Sequence, residues 1–221
     1  MGAIAISILG RLPPAFDVEL AEKKYPVSYS ECMNTVLTQE LQRFNRLTNV
    51  IRTTLIDIGK AIEGLVVMSA QLEQIFTFIY NGKVPLFWKK VSYPSLKPLA
   101  SYVNDLLNRL SIFQNWLSNG SPPVFNISFF FFTQSFMTGA LQNYARRMHF
   151  PIDTIGFNFF AMKKDDPLCA TKPEDGAYVI GIYLEGAKWN YSTGLLDDSE
   201  PKVCSFIYLT ITHTSNVCYR I

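Results

Sequence analysis

SECMNTVLTQELQRFNRLTNVIRTTLIDIGKAIEGL, residues 30–65, decides the fold. Met33, Leu37, Leu41, Phe44, Leu47, Ile51, Leu55, Ile58, Ile62 and Leu65 recur at steps of three or four, so all fall on one face of an α-helix. A half-buried strand would alternate with a period of two. Glu40, Arg43, Arg46, Arg52, Asp57 and Lys60 fall mostly off the stripe and read as its solvated side. Ser30 is placed to cap the first turn. Unbroken, the helix spans about 48 Å at ~1.5 Å per residue, and Gly59 and Gly64 are the points where it would kink or divide. The Leu47, Ile51 and Leu55 face is expected to be buried. Arg52, on the wetter side, is expected to be replaceable for under ~0.5 kcal/mol.

Working outward, Pro13, Pro14 and Pro26 forbid a continuous helix through Arg11 to Tyr29, since proline has no N–H and clashes with the preceding turn. Downstream, Met68, Leu72, Ile75, Phe76 and Ile79 predict a second helix that stops at Asn81-Gly82. A third follows Pro98 with Leu99, Val103, Leu106, Leu110, Phe113 and Leu117, and ends at Asn119-Gly120. A fourth runs from about Thr133 to Met148, and Gly139 inside it costs about 1 kcal/mol relative to Ala unless a neighbour packs close. After Pro151 the period changes. Ile155, Phe157 and Phe159 alternate with Gly156 and Asn158, as in a strand. Lys163 to Gly176 is a polar loop. Ala177 to Leu184 reads as a strand with Tyr178, Ile180, Ile182 and Leu184 on one face. Glu185-Gly186 reads as a turn, and Lys202 to Thr212 as a last β-rich run. Helices first and strands later predict an α+β fold: a helical bundle followed by a small, incomplete antiparallel β-barrel-like part.

Composition narrows the function. A length of 221 residues is ample to bury a core. The net charge of +2 argues against nucleic acid, which asks for a basic stripe; Arg146-Arg147 is the best basic cluster and reads as a solvated helix end. Charged residues make up 17% of the sequence, against roughly 25% in an ordinary soluble domain, and there are 17 Phe. Two readings of that surplus stand side by side: a large aromatic core, or apolar surface buried against a partner. No apolar run reaches the ~18 residues of a membrane span; Val124 to Phe132 comes nearest. Met1 to Leu9 lacks the basic flank of a signal peptide. Ile6 breaks the myristoylation pattern that Gly2 would open. Without a secretory signal, the Asn126-Ile-Ser128 and Asn190-Tyr-Ser192 sequons carry little weight. Cys32, Cys169, Cys204 and Cys218 are scattered, without zinc spacing, and read as reduced thiols.

No site of known chemistry is legible. Asn81-Gly82-Lys83 is followed by Val84 and has no glycine upstream in register, so the phosphate-cradling loop is missing. Neither GxGxxG nor GxSxG occurs. His149 and His213, the only histidines, lie in no HExxH and beside no nucleophile, and read as surface or locally bonded groups. Asp165-Asp166, Glu174-Asp175 and Asp197-Asp198 could do acid–base work only if burial split their pKa values; beside Pro, Gly and Ser they read as solvated loop charge. Phe129 to Phe132 could stack on a ligand, but reads first as core entering a helix. No catalytic, cofactor-binding or metal-ligating residue is nominated, and no cofactor is expected.

Some longer motifs are more specific. Ile8-Leu9-Gly10-Arg11-Leu12-Pro13, Lys24-Tyr25-Pro26-Val27, Met33-Asn34-Thr35-Val36-Leu37, Ala61-Ile62-Glu63-Gly64, Ser92-Tyr93-Pro94-Ser95-Leu96-Lys97-Pro98, Leu141-Gln142-Asn143-Tyr144-Ala145-Arg146, Pro151-Ile152-Asp153 and Leu184-Glu185-Gly186-Ala187-Lys188-Trp189 occur in order. Together they resemble the C-terminal part of a dynein heavy chain over residues 8 to 203. The Gln142 to Arg146 and Pro151 to Asp153 motifs favour an axonemal over a cytoplasmic type; the arm is left open, with a lean towards the inner one. The resemblance implies three parts: residues 1–29 as a lead-in from the last AAA+ module, 30–150 as the helical part of the C-terminal domain, and 151–221 as the β-rich part. Val124 to Phe129 departs from the family run, and the sequence diverges or is cut short after about Cys204.

The resemblance also implies a role. The parent is an ATP-driven, minus-end-directed microtubule motor, in the cytoplasm and cytoskeleton, at the axoneme of cilia and flagella. This region would be a structural and regulatory module without a nucleotide site, not an enzyme by itself. Its partner would be the AAA+ ring of the same heavy chain, with intermediate chains, light chains and microtubules reached through the motor, and neither nucleic acid nor membrane. Apolar contact would hold it to the ring, with Leu99, Val103 and Leu106 as expected contributors. The alternative is a free-standing axonemal interaction protein with the same fold.

Overall fold

The computed structural model describes residues 2–162, 171–182, 186–190, 192–193 and 195–198, and the backbone alone of 205–213. Helices α1 (Gly2–Arg11), α2 (Val18–Lys24), α3 (Cys32–Ile62), α4 (Ala70–Tyr80), α5 (Leu86–Lys89), α6 (Leu99–Asn119) and α7 (Thr133–Met148) alternate with strands only from the second half onward. The strands are β1 (Val124–Asn126), β2 (Ile155–Met162), β3 (Ala177–Ile182), β4 (Ala187–Asn190), β5 (Leu195–Asp198) and β6 (Ser205–His213). The fold is α+β. It groups into two compact units, Met1–Lys24 with Leu37–Ser118, and Tyr25–Val36 with Asn119–Ile221.

In the first unit the long stripe does what its spacing predicts. Leu37, Leu41, Phe44, Leu47, Ile51, Leu55 and Ile58 are each at most 1% exposed. The Phe44 and Phe113 rings meet at 5.0 Å, and the Trp88 indole N–H donates to Thr54 Oγ1 at 2.9 Å. Burying each such large side chain contributes roughly 1.5–3 kcal/mol. The stripe stops at Ile58: Ile62 and Leu65 are exposed. Ile62 is the last residue of α3 and Leu65 lies past its end, where the helix stops. Leu65 N–H reaches back to Lys60 O at 2.9 Å and Gly64 N–H to Ala61 O at 3.2 Å, with Gly64 at φ +76°, the left-handed closure that glycine adopts without a Cβ penalty. Two residues read as wet are not. Glu40 is fully buried against Arg43 at 2.6 Å, and Arg52 Nη2 donates to Pro13 O at 2.8 Å. Through Arg52, and through Asn45, which exchanges two 2.8 Å bonds with the backbone of Phe16, the proline-rich lead-in is laced to α3. Leu99, Val103 and Leu106 are buried in this unit. They are core, and no partner could reach them without opening it.

In the second unit, Phe125, Phe130 and Phe136 form a three-ring cluster with centroids 4.9 to 6.4 Å apart. The Phe run is thus core at Phe130 and solvent-facing at Phe132. The main sheet has the order β1-β3-β6-β2. β3–β6 and β2–β6 are antiparallel, but β1–β3 is parallel. That corrects the all-antiparallel expectation, and β1 itself comes from the stretch read as helical. β4 and β5 form a separate antiparallel pair. Neither sheet closes into a barrel among the described residues. The last β-rich run, expected at Lys202 to Thr212, is β6, and it takes an interior place in the main sheet. Gly181, at φ +87°, sits in the β3 bulge, where an added Cβ would run into Asn126 Oδ1. Gly139 on α7 has its close neighbour, Val36 Cγ2, at 3.1 Å from where a Cβ would lie. Leu184, Glu185, Asp165-Asp166 and the cysteines at 169, 204 and 218 lie outside the described residues.

Candidate functional site

Some of the polar residues of the sequence motifs fold into three joints. The first belongs to Ser92 to Pro98. Asp105 and Arg109 are one turn apart on α6 and both buried, and Arg109 Nε donates to Asp105 Oδ2 at 2.8 Å. Lys97 Nζ reaches the other carboxylate oxygen at 2.5 Å. The Arg109 guanidinium lies 3.7 Å from the Tyr93 ring centroid, Tyr93 stacks on Tyr102 at 5.6 Å, and the Tyr102 and Ser92 hydroxyls share a 2.7 Å bond. Burial alone would raise the Asp105 pKa, but the hydrogen bonds from Lys97 and Arg109 outweigh it and hold the carboxyl below the usual carboxylate range. Burial pushes the Tyr102 hydroxyl up to about 12 and Tyr93 further still. Both phenols stay protonated near neutrality, and the cluster ties the 92–98 loop to α6.

The second joint belongs to Lys24. Its Nζ donates to Leu117 O at 2.5 Å and Ser118 O at 2.9 Å. These are among the last carbonyls of α6, which have no helical partner and carry the negative end of the helix dipole.

The third joint belongs to Leu141 to Arg146. Asn143 Oδ1 accepts Cys32 N–H at 2.6 Å, and Asn143 Nδ2 donates to Glu31 Oε1 at 2.8 Å. Glu31 also accepts from Met33 N–H at 3.1 Å. The start of α3 is therefore capped by Asn143 and Glu31, not by Ser30, whose hydroxyl bonds Ser28 instead. Arg146 Nη1 donates to Tyr29 O at 2.7 Å and Cys32 Sγ at 3.0 Å, and the guanidinium lies 4.3 Å from the Tyr29 ring centroid. Burial raises the Cys32 thiol pKa against the pull of Arg146, away from the lowered range of activated thiols. Arg147 pairs with Asp175 and donates to Glu174 O. The pair read as a solvated helix end is thus engaged at both residues, and one of the carboxylate pairs serves as its counterpart. His149 closes α7 in the left-handed region, at φ 57°. Asp197 and Asp198 sit exposed on β5.

No group of three or more potential metal ligands occurs among the described residues, and no described helix is long and apolar enough to cross a membrane. Sequence reasoning missed Asp105 with Arg109. Their i, i+4 spacing beside an apolar stripe was the available signal.

The family model for the C-terminal domain of the dynein heavy chain matches residues 1–216. The protein belongs to this family. It is 55% identical over 200 residues to dynein axonemal heavy chain 3 of Mus musculus, an alignment that takes in 90% of this sequence and 5% of that protein. It is 52% identical to dynein axonemal heavy chain 12 of Homo sapiens, over 90% of this sequence and 6% of that one. With dynein axonemal heavy chain 1 of Rattus norvegicus it shares 50% identity, over 90% and 4%. The 221 residues therefore span about one twentieth of the length of these relatives. The dynein resemblance read from the ordered motifs is correct, and it lies in the axonemal group. Within this family domain, some of the residues that carried the resemblance, Lys24, Ser92, Tyr93, Lys97, Asn143 and Arg146, lock loops onto helices.

Proposed function

We propose that the protein is the non-catalytic structural and regulatory C-terminal module of a ciliary dynein heavy chain, the ATP-driven microtubule motor that drives axonemal movement. Its direct partner is the AAA+ ring of the same heavy chain, and intermediate chains, light chains and microtubules are reached through that motor. It works at the axoneme, where it biases ring modules by contacting their two states unequally. A difference of ~1.4 kcal/mol would change those populations tenfold.

The observation that carries this reading is the exposed apolar run between α3 and α4. Leu65 is 71% exposed and Val67 88% exposed, beside partly exposed Ile62, Val66 and Met68. A contiguous apolar stretch of this kind marks an interaction surface. A heavy-chain ring lacking this region, mixed with the purified 221-residue protein, tests the reading. Binding is expected, together with its loss on joint substitution of Leu65→Asp and Val67→Asp without loss of helicity. Failure of the unaltered, folded protein to bind the ring would overturn it.

A further inference from the structure

A cavity of about 470 Å³ opens in the second unit, where α7 hands over to the segment before β2. Its walls include Tyr29, Gln142, Arg146, His149, Phe150 and Ile152. No carboxylate lines it among the described residues. Arg146 makes no ion pair among the described residues; its one bonded nitrogen, Nη1, is held by a carbonyl and a thiol. A guanidinium carries five N–H donors, so Arg146 keeps charge and donor capacity for an incoming anion. Arg147, by contrast, is neutralised by Asp175. Phe150 and Ile152 are each 40% exposed at the mouth, and the Tyr29 ring is fixed under the Arg146 guanidinium.

His149 adds an independent mark. It holds φ 57° at the helix stop, where Phe150 N–H bonds Ala145 O at 3.0 Å. Glycine is the low-strain residue for that conformation, and a strained side chain lining a cavity points to a use for its imidazole.

We propose that this cavity is a binding site for an acidic peptide segment. Its carboxylates face Arg146, His149 and Gln142, and an apolar side chain lies on Phe150, Ile152 and Tyr29. Charge complementarity sets the sign of the partner, and the aromatic and aliphatic rim requires more than a bare anion. The site is separate from the apolar run assigned to the ring, so its test stands or falls by itself.

The test is fluorescence anisotropy of the full 221-residue protein with a labelled peptide of repeating glutamate–leucine–glutamate–phenylalanine. Its glutamine counterpart and plain polyglutamate serve as comparisons. The acidic amphipathic peptide is expected to bind at least about tenfold more tightly than either, the ratio that one charge-assisted hydrogen bond supplies, and to weaken as salt rises. His149→Gly and Gln142→Ala are each expected to weaken binding severalfold. His149→Gly should at the same time keep or raise the melting temperature, which separates binding from folding. Equal binding of the glutamine peptide, equal binding of polyglutamate, no binding, or unchanged affinity in both variants would overturn the proposal.

Discussion

The side-chain carbonyl of Asn143 accepts the backbone N–H of Cys32 at 2.6 Å, across 111 residues of sequence. A residue on α7 thereby supplies the cap for the first turn of α3, while its amide also holds Glu31. Replacing Asn143 with Ala orphans that N–H and removes the Glu31 contact. The expected cost is about 1–2 kcal/mol, read as a lower urea midpoint with unchanged slope. Ser30→Ala should cost well under that. Equal effects of the two substitutions would contradict the capping assignment.

Arg109 and Lys97 both bind Asp105, but from different environments. Arg109→Met takes away the buried partner of Asp105, leaves only the half-exposed Lys97, and should cost about 3 kcal/mol. Lys97→Met removes a cation whose side chain is half exposed and should cost under about 1 kcal/mol. Thermal or urea unfolding of the two variants decides the order.

The same carboxylate sets a pH dependence. The folded Asp105 pKa lies below its ordinary value, which is about 3.9. Its stabilisation is therefore complete above that value and is lost as pH falls through the folded one. The stability gap between the wild-type protein and Asp105→Asn should be full at neutral pH and shrink at pH values below about 4. A gap that widens on acidification would reverse the assigned sign.

On α3, Ile51→Val should cost about 1 kcal/mol and Leu55→Ala about 2–5 kcal/mol, because both sites are closed. Arg52→Ala should cost about 1 kcal/mol through its lost bond to Pro13 O, more than a solvated arginine would. Urea midpoints for the three variants check the ranking, and a neutral Arg52→Ala would restore the solvated reading.

Gly64 and Gly181 both hold positive φ, but only Gly181 has a neighbour where a Cβ would be. Gly64→Ala should cost about 1 kcal/mol for the left-handed backbone alone. Gly181→Ala should cost at least about 1 kcal/mol more, from overpacking against Asn126. Equal melting losses would show that Asn126 yields freely.

The helices were legible where a long period met clear punctuation. α3 is marked by its stripe, α6 by Pro98 before it and Asn119-Gly120 after it, and α7 by Phe136, Leu141 and Tyr144. α1, α2 and α5 were not, because four to ten residues carry too few periods to stand above proline noise. β1 is three residues long and hidden in an aromatic run; its partner Tyr178 is remote in sequence, so no local pattern reports the pairing. The interior position of β6 is non-local for the same reason. The joints were half legible. Tyr93, Lys97, Asn143 and Arg146 stood out in motifs, but that Asp105, Arg109, Glu31 and Cys32 are their partners follows from the way the backbone folds back, although the i, i+4 spacing of Asp105 and Arg109 was itself a local signal. Arg52 and Glu40 were misread because a helical wheel shows which side a residue occupies and not what later covers it.

Microtubule-gliding velocity of a full-length axonemal heavy chain with the equivalents of Leu65→Asp and Val67→Asp, measured alongside ATP affinity at its main site, tests the central claim most directly. The account predicts altered velocity with ATP affinity nearly kept, since the proposal gives the substituted surface a contact with the ring and none with the nucleotide. Unchanged velocity in a correctly folded motor, or velocity lost only together with ATP binding, would contradict it.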